Sequence, residues 1–487
     1  MRTPSWRPVG AALLFAVAAP AFSEPPPLKA CRVPGIKNEV QCGSVQRPLD
    51  PAQPQGKAID VQYVVVPAMA RNKLPDPVFL LGGGPGQSAI DIAPQVLPLL
   101  QRLNNRRDLV FVDQRGTGRS APLECEDPRQ LPLADQADPE RQFKLLVQCR
   151  DTLAQLPHGD MRFYTTTIAM QDLDAVRAQL GAARINLVGA SYGTRAGLEY
   201  QRQFPQQTRR SVLDGVAPPD MVLPASIVTD GQAAFDAMFK ACDAEAACRT
   251  QHPALRADWQ ALLASLPKPV TIAHPLTGQP EKLTLTREML LGTVRGPLYL
   301  PSLAAALPHA IAEAARGRFE PLVGVNALFG GRKGMQLAMG MHFSVVCAED
   351  HPRLAASPVP TGDFGGSFGR VYQRVCENWP RGTPPAAFYD IGPSATPVLL
   401  LSGSIDPVTP PRHGERAAQA LGPNARHVVA PNVGHGVMGI GCMRDVMYRF
   451  IDAASDKDAL AVDAACVKNI PRPPAFQPVR LDREAAK

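Results

Sequence analysis

The stretch Ile185-Asn186-Leu187-Val188-Gly189-Ala190-Ser191-Tyr192-Gly193 constrains this chain more than any other. A short apolar run leads straight into a G-x-S-x-G pattern, and Thr194 to Gln203 then suits a helix. Strand, sharp turn and helix in that order push a serine hydroxyl out at the carboxyl edge of a parallel sheet. The turn must be strained, and flanking Gly avoid clashes with the neighbouring strand and helix. A lone G-x-S-x-G is common by chance. Placed after a buried strand it is far more specific, and an ordinary tight turn becomes the weaker reading.

The rest of the chain supplies the sheet. Ile59 to Val66, Pro77 to Leu81, Asp108 to Val112, Ile185 to Val188, Ser211 to Leu213, Pro397 to Leu401 and His427 to Ala430 read as short strands. Several stop at turn residues, such as Gly82-Gly83-Gly84-Pro85-Gly86 and Asp113-Gln114-Arg115-Gly116. Helical patterns lie between them, as at Thr165 to Leu180, with Gly181 as a C-terminal cap. This rhythm predicts an α/β fold with a mostly parallel sheet flanked by helices. Residues 24 to 55 read as irregular, and 121 to 160 as a polar helical excursion. Between 218 and 394 the rhythm is lost to helical patterns and one β-like stretch, Val270 to Thr286. The expected organisation is therefore a first core part at 24–217, a large, mainly helical cap insertion at 218–394, and a second core part at 395–487.

Residues 1–23 read as a secretory signal. Arg2 and Arg7 precede an apolar run, Val9 to Phe22, and small residues offer cleavage after Ala21 or Ser23. The alternative is a retained anchor, although the run is short for a bilayer. Removing the signal leaves a net charge of +5 from the full chain's +7. Export permits disulfides, which gives the ten Cys a purpose. Sequence alone cannot select their pairing. The sequential scheme closes only short loops: Cys31–Cys42, Cys125–Cys149, Cys242–Cys248, Cys347–Cys376 and Cys442–Cys466. No C-x-x-C and no His/Cys cluster has zinc spacing, so no metal is expected. Basic and acidic residues, 51 against 44, are spread along the chain, which gives no basic stripe for nucleic acid. After the signal no apolar run is long enough to span a membrane.

A serine hydroxyl needs a base, and the base needs an orienting carboxylate. In a fold with this strand–turn–helix elbow they follow in the order Ser, acid, His. Asp406 follows the P-V-L-L-L strand in S-G-S-I-D-P-V-T-P, and His435 follows H-V-V-A in P-N-V-G-H-G. Other His, such as His342 and His413, read as surface or cap residues. Asp214, also at a strand end, competes as the acid but reads as structural. A tetrahedral intermediate needs backbone donors. Tyr192 N–H is one. Gly84 N–H is the favoured second, with Gly83 the alternative. No G-K-[ST] follows the Gly run, so phosphate binding is set aside.

The G-G-G-P-G loop, D-Q-R-G-T-G-R-S (Asp113 to Ser120), G-A-S-Y-G, S-G-S-I-D-P-V-T-P and N-V-G-H-G resemble the proline iminopeptidase branch of the α/β-hydrolases. The long cap and Cys-rich C-terminal part resemble its secreted tripeptidyl aminopeptidase-like subgroup. The resemblance spans nearly the whole mature chain. It implies a serine aminopeptidase with Ser191, Asp406 and His435 as catalytic residues, a short peptide as substrate, and no cofactor. Gly82 departs from the usual His of H-G-G-P-G, which weakens strict proline specificity. Such enzymes hold the substrate's α-ammonium with cap carboxylates, and Glu349, Asp350 and Glu377 are the candidates here. Arg115 and Arg119 are expected to brace loops. An exported carboxylesterase or lipase-like enzyme with the same triad is the alternative. A non-catalytic binding protein on the same fold is a third reading, disfavoured because all three triad positions are filled.

Overall fold

The computed structural model describes residues 28–127, 131–330, 336–357, 361–365 and 367–478. The signal-like segment lies outside them. Nine strands form the main sheet: β1 (Lys29–Cys31), β2 (Val40–Pro48), β3 (Ala58–Val66), β4 (Val78–Leu81), β5 (Leu109–Val112), β6 (Ile185–Ala190), β7 (Thr208–Asp214), β10 (Val398–Gly403) and β11 (Ala425–Ala430). β8 (Lys268–Ala273) and β9 (Pro280–Leu285) form a separate antiparallel pair. The order in the main sheet is β1-β2-β3-β5-β4-β6-β7-β10-β11. From β5 to β11 every pairing is parallel, and β1, β2 and β3 add an antiparallel edge. The fold is thus α/β with a mostly parallel sheet.

The central strands are apolar throughout because both sheet faces are covered. In β4, Phe79 and Leu81 join one core with Val110, Leu187 and Tyr192. Val78 and Leu80 point the other way, to a core with Phe111, Val188, Val212, Leu399 and Leu401. Each such side chain contributes about 1.5–3 kcal/mol of burial. A third core, built on Trp259, Phe235, Leu291 and Ile311, is made mostly by helices of the 218–394 stretch. The helix Met339–Glu349 of that stretch packs instead on the sheet, where Met341, Phe343 and Val345 enter the first core.

The chain between 24 and 55 is less irregular than its sequence suggests. β2 runs nine residues and pairs with β3 from Gln41↔Val65 to Pro48↔Ala58. Its residues are mostly half-buried and polar, so it shows no clean alternation. Gly43 matters there, since a Cβ would fall 2.4 Å from the Tyr63 ring. Cys31–Cys42 links β1 to β2, and the other four disulfides are Cys125–Cys149, Cys242–Cys248, Cys347–Cys376 and Cys442–Cys466.

Sheet order reverses beside β4, where chain connections leave in opposite directions, and a crevice forms outside the strands' carboxyl ends at such points. The Gly loop leaves β4, Ser191 leaves β6, Asp214 ends β7, Asp406 follows β10 and His435 follows β11. Register fixes them side by side: Leu81 pairs with Gly189, Ala190 with Asp214, Asp214 with Leu401, and Gly403 with Ala430.

Candidate active site

Ser191 sits between β6 and the helix Tyr192–Gln203 with φ 56° and ψ −124°. A non-glycine residue there is strained, and such strain persists only where its surroundings impose it. The two flanking Gly impose it by proximity. A Cβ on Gly189 would lie 2.4 Å from the Gly193 carbonyl oxygen, and one on Gly193 would lie 2.3 Å from that of Leu81. Ser191 N–H donates to the Asp214 carbonyl at 2.9 Å, which anchors the turn to β7.

His435 Nδ1 lies 2.8 Å from Asp406 Oδ2. Asp406 is oriented by its own loop: Oδ1 accepts from Val408 N–H at 2.8 Å and Thr409 N–H at 2.9 Å, and Oδ2 accepts from the Thr409 hydroxyl at 2.8 Å. Thr409 Oγ1 is also 3.1 Å from His435 Nδ1. Burial alone would raise Asp406, but the His435 charge and these donors hold it below the usual Asp value. Burial would likewise lower His435, yet the Asp406 carboxylate outweighs it and raises the imidazole. With Nδ1 committed to Asp406, Nε2 remains for proton exchange.

Asp214 lies beside this pair but does not replace Asp406. Its carboxylate accepts from Val437 N–H (2.9 and 2.8 Å) and Met438 N–H (2.7 Å), so it ties down the chain just after His435. Burial pushes it up to about 6. Gly215, at φ +67°, gives His435 room, since a Cβ there would come 3.1 Å from the ring. From the other side Tyr299 packs edge-on to His435 at 5.2 Å, and its carbonyl accepts from His435 N–H at 2.9 Å.

The Gly loop passes beside Ser191 at Gly83. A Cβ on Gly83 would stand 3.4 Å from Ser191 Cβ, and one on Gly84 would meet Gly86 N at 2.8 Å and Leu337 at 3.1 Å. The Gly83 N–H donates to Gln87 Oε1 at 3.0 Å. Tyr192, in the first helical turn, has an N–H with no acceptor inside its helix. Distant groups hold the loop from behind. Asp113 accepts from Ser88 Oγ (2.6 Å), Ile90 N–H (3.0 Å) and Arg119 N–H (3.0 Å). His342 Nδ1 is 3.1 Å from the Pro85 carbonyl oxygen, and its Nε2 is 3.0 Å from Tyr372 Oη. The Gly86 carbonyl accepts from Ala338 N–H at 2.9 Å.

His342 and His413 are thus not surface residues: both are buried, and His413 pairs with Asp230 at 2.8 Å. Nothing in the local sequence marks His342 or Tyr299, since their partners are far off in the chain. Arg115 is buried against Asp172 at 2.6 Å and the carbonyls of Leu49 and Phe163 at 2.9 Å each, whereas Arg119 is exposed.

The three amine-binding candidates do not come together at an open surface. Glu349 and Asp350 are each 1% exposed. Asp350 accepts from Arg195 at 2.9 and 3.1 Å and from Leu223 N–H at 3.0 Å. Glu349 accepts from Thr166 N–H at 2.7 Å, Thr166 Oγ1 at 3.0 Å and Arg195 at 3.4 Å. Thr166 Oγ1 is in turn 2.7 Å from Tyr192 Oη. Burial pushes Glu349 up to about 7 despite Arg195. Glu377 is exposed at the end of the helix Ser367–Glu377. The three amine-binding candidates are therefore not gathered at one open site: Glu349 and Asp350 are buried and share Arg195, and Glu377 is exposed. Other carboxylates line open space. A cavity of about 990 Å³ is bordered by Ser88, Asp91, Asp127, Glu288 and Tyr372.

Two family models match, one described as alpha/beta hydrolase fold over residues 76–239, and one as TAP-like protein over residues 363–466. The first spans the Gly loop and Ser191, and the second Asp406 and His435. The chain is 27% identical over 447 residues to the serine protease Hip1 of Mycobacterium tuberculosis, covering 83% of this chain and 84% of that one. It is 32% identical over 196 residues to the tripeptidyl aminopeptidase of Streptomyces lividans, covering 38% and 36%. It is 28% identical over 421 residues to carboxylesterase B of Mycobacterium tuberculosis, covering 78% of each.

Proposed function

We propose, from the premise that this chain is an α/β-hydrolase with a TAP-like C-terminal part, that it is an exported serine aminopeptidase cutting short peptides near their free N-terminus. A serine peptidase of the α/β-hydrolase class agrees with the names of its relatives. The observation that carries the reading is the ordered Asp406–His435 pair at the same sheet edge as the strained Ser191. Five disulfides support export, as such bonds persist in oxidising compartments. Among the described residues no helix is long and apolar enough to cross a membrane.

In the mechanism Ser191 Oγ attacks the scissile carbonyl while His435 Nε2 takes its proton. The Gly84 and Tyr192 N–H groups hold the oxyanion, worth about 10²–10³ in rate per donor. His435 then returns the proton to the leaving amine, and water hydrolyses the acyl-enzyme by the same path. The substrate's ammonium is assigned to Asp91 on the wall of the cavity of about 990 Å³, because Glu349 and Asp350 are buried. Asp91→Asn should raise KM for tripeptidyl arylamides and leave short acyl esters unaffected.

The esterase reading keeps one supporting fact, the relative named carboxylesterase B. Tripeptidyl arylamides assayed beside acyl esters decide between the two. Fast ester cleavage with no amide cleavage would sink the peptidase reading. A fluorophosphonate should label the parent and not Ser191→Ala, and an unlabelled parent would remove catalysis altogether.

A further inference from the structure

After the Cys442–Cys466 bridge the chain runs as Ile470-Pro471-Arg472-Pro473-Pro474-Ala475-Phe476, without helix or strand. Its prolines keep such a segment extended and stiff. The two ends are bonded to different parts of the molecule. At the near end the Ile470 carbonyl accepts from Asn432 Nδ2 at 3.0 Å. Asn432, at φ 60°, lies on the loop after β11 that carries His435. At the far end Phe476 N–H donates to the Ala305 carbonyl at 2.8 Å, and Ala475 N–H donates to Glu245 Oε2 at 3.1 Å. The Phe476 ring stands 5.5 Å from that of His309. Ala305, Glu245 and His309 all belong to the 218–394 stretch. Ala305 ends the short helix Pro301–Ala304, and Tyr299 lies just before that helix. Tyr299 takes the His435 N–H on its carbonyl and packs on the imidazole. The fit there is close: a Cβ on Gly434 would fall 2.3 Å from the Tyr299 carbonyl oxygen and 3.1 Å from Pro301 Cδ. His435 is thus held by its own loop and by Tyr299, and one short segment is bonded beside both.

We propose that residues 470–476 form a positioning strap for His435, holding the His435 loop and the Tyr299 segment at a fixed separation. This rests on the reading of His435 as the base. A stiff link acts in series, so releasing either end releases both neighbours of the imidazole. Separate local contacts would behave otherwise, since each would keep its own share of the effect when the other is lost. A displacement of the base by a fraction of an ångström matters because proton transfer needs hydrogen-bond reach.

Cutting the strap at each end tests this. Asn432→Gly removes the near bond and keeps the positive φ. Ala475→Pro with Phe476→Pro strips both far donors and leaves the chain extended. The readout is the rate constant for fluorophosphonate labelling of Ser191, scored apart from the fraction labelled. Unfolding lowers the fraction, whereas a displaced base lowers the rate. Each cut alone should slow labelling about three- to tenfold, the worth of one hydrogen bond. Both cuts together should be no more than about twofold slower than the slower single cut. The acid limb of the labelling rate should also move to lower pH in each variant. Burial lowers the imidazole, Asp406 and Asp214 raise it, and Arg295 lowers it. A looser Asp406 contact therefore lets burial prevail. Effects that multiply in the combined variant, or an acid limb that stays in place in folded Asn432→Gly, overturn the proposal. If the combined variant does not fold, the acid limb of Asn432→Gly decides. A parent that fails to label overturns the reading of Ser191 and His435, and the strap with it.

Discussion

At the scale of single residues, the site is a set of groups whose neighbours have shifted their acidity. Asp406 is held ionised and His435 raised by the same 2.8 Å contact. His435 works as a base only when neutral, so activity should be lost as pH falls through its folded-state value. That acid limb should lie above the ordinary His value of about 6.5. Asp406→Asn removes the charge and donates to the wrong tautomer, with a kcat loss on the order of 10⁴. It should also move the limb to lower pH, which a pH–rate profile of the residual activity would reveal. Thr409 and Tyr299 belong to the same account, because they fix the two groups rather than react.

At the scale of elements, the turn between β6 and the helix Tyr192–Gln203 depends on the absence of two side chains. Gly193→Ala would drive a methyl into the Leu81 carbonyl oxygen, 2.3 Å away. Overpacking of this kind costs about 1–3 kcal/mol, and the β4 loop must shift to relieve it. A lower denaturant midpoint together with lost activity is expected, and an unchanged midpoint would refute the close approach. The Cys347–Cys376 bridge joins the helix Met339–Glu349 to Ser367–Glu377 across 29 residues. Replacing both by Ala should cost about 3–4 kcal/mol from loop entropy. Because Ala338 and His342, on and just before the first of these helices, hold the Gly loop, the same variant should lose activity at lower denaturant than it loses sheet structure.

At the scale of the whole molecule, the buried Arg195–Glu349–Asp350 cluster joins the nucleophile's helix to the 218–394 stretch. Removing one partner from a buried cluster leaves an uncompensated charge and typically costs 3–5 kcal/mol. Its pH dependence has a definite sign. Glu349 is raised to about 7, so between its unfolded range near ~4.3 and about 7 the folded chain binds more protons. Stability from this group is full below that window and is lost as pH rises through it. Asp214, raised to about 6, acts in the same direction. Glu349→Gln should therefore show a smaller drop in Tm from pH 5 to pH 8 than the parent. Equal drops in both proteins would count against Glu349 as the source.

Much of this was legible in the chain, and for a definite reason. The G-A-S-Y-G elbow, the buried strands and the carboxylate of S-G-S-I-D-P-V-T are built from contacts within a few residues, so periodicity and turn chemistry suffice to find them. β2 escaped because a mostly half-buried strand with polar residues on both faces has no periodic signature. The environments of Glu349, His342 and Tyr299 depend on residues brought from far along the chain; Arg195 lies 154 and 155 residues from its carboxylates. A sequence can show that two acidic residues adjoin. Only the packing of helix on sheet decided that they face a buried arginine instead of open water.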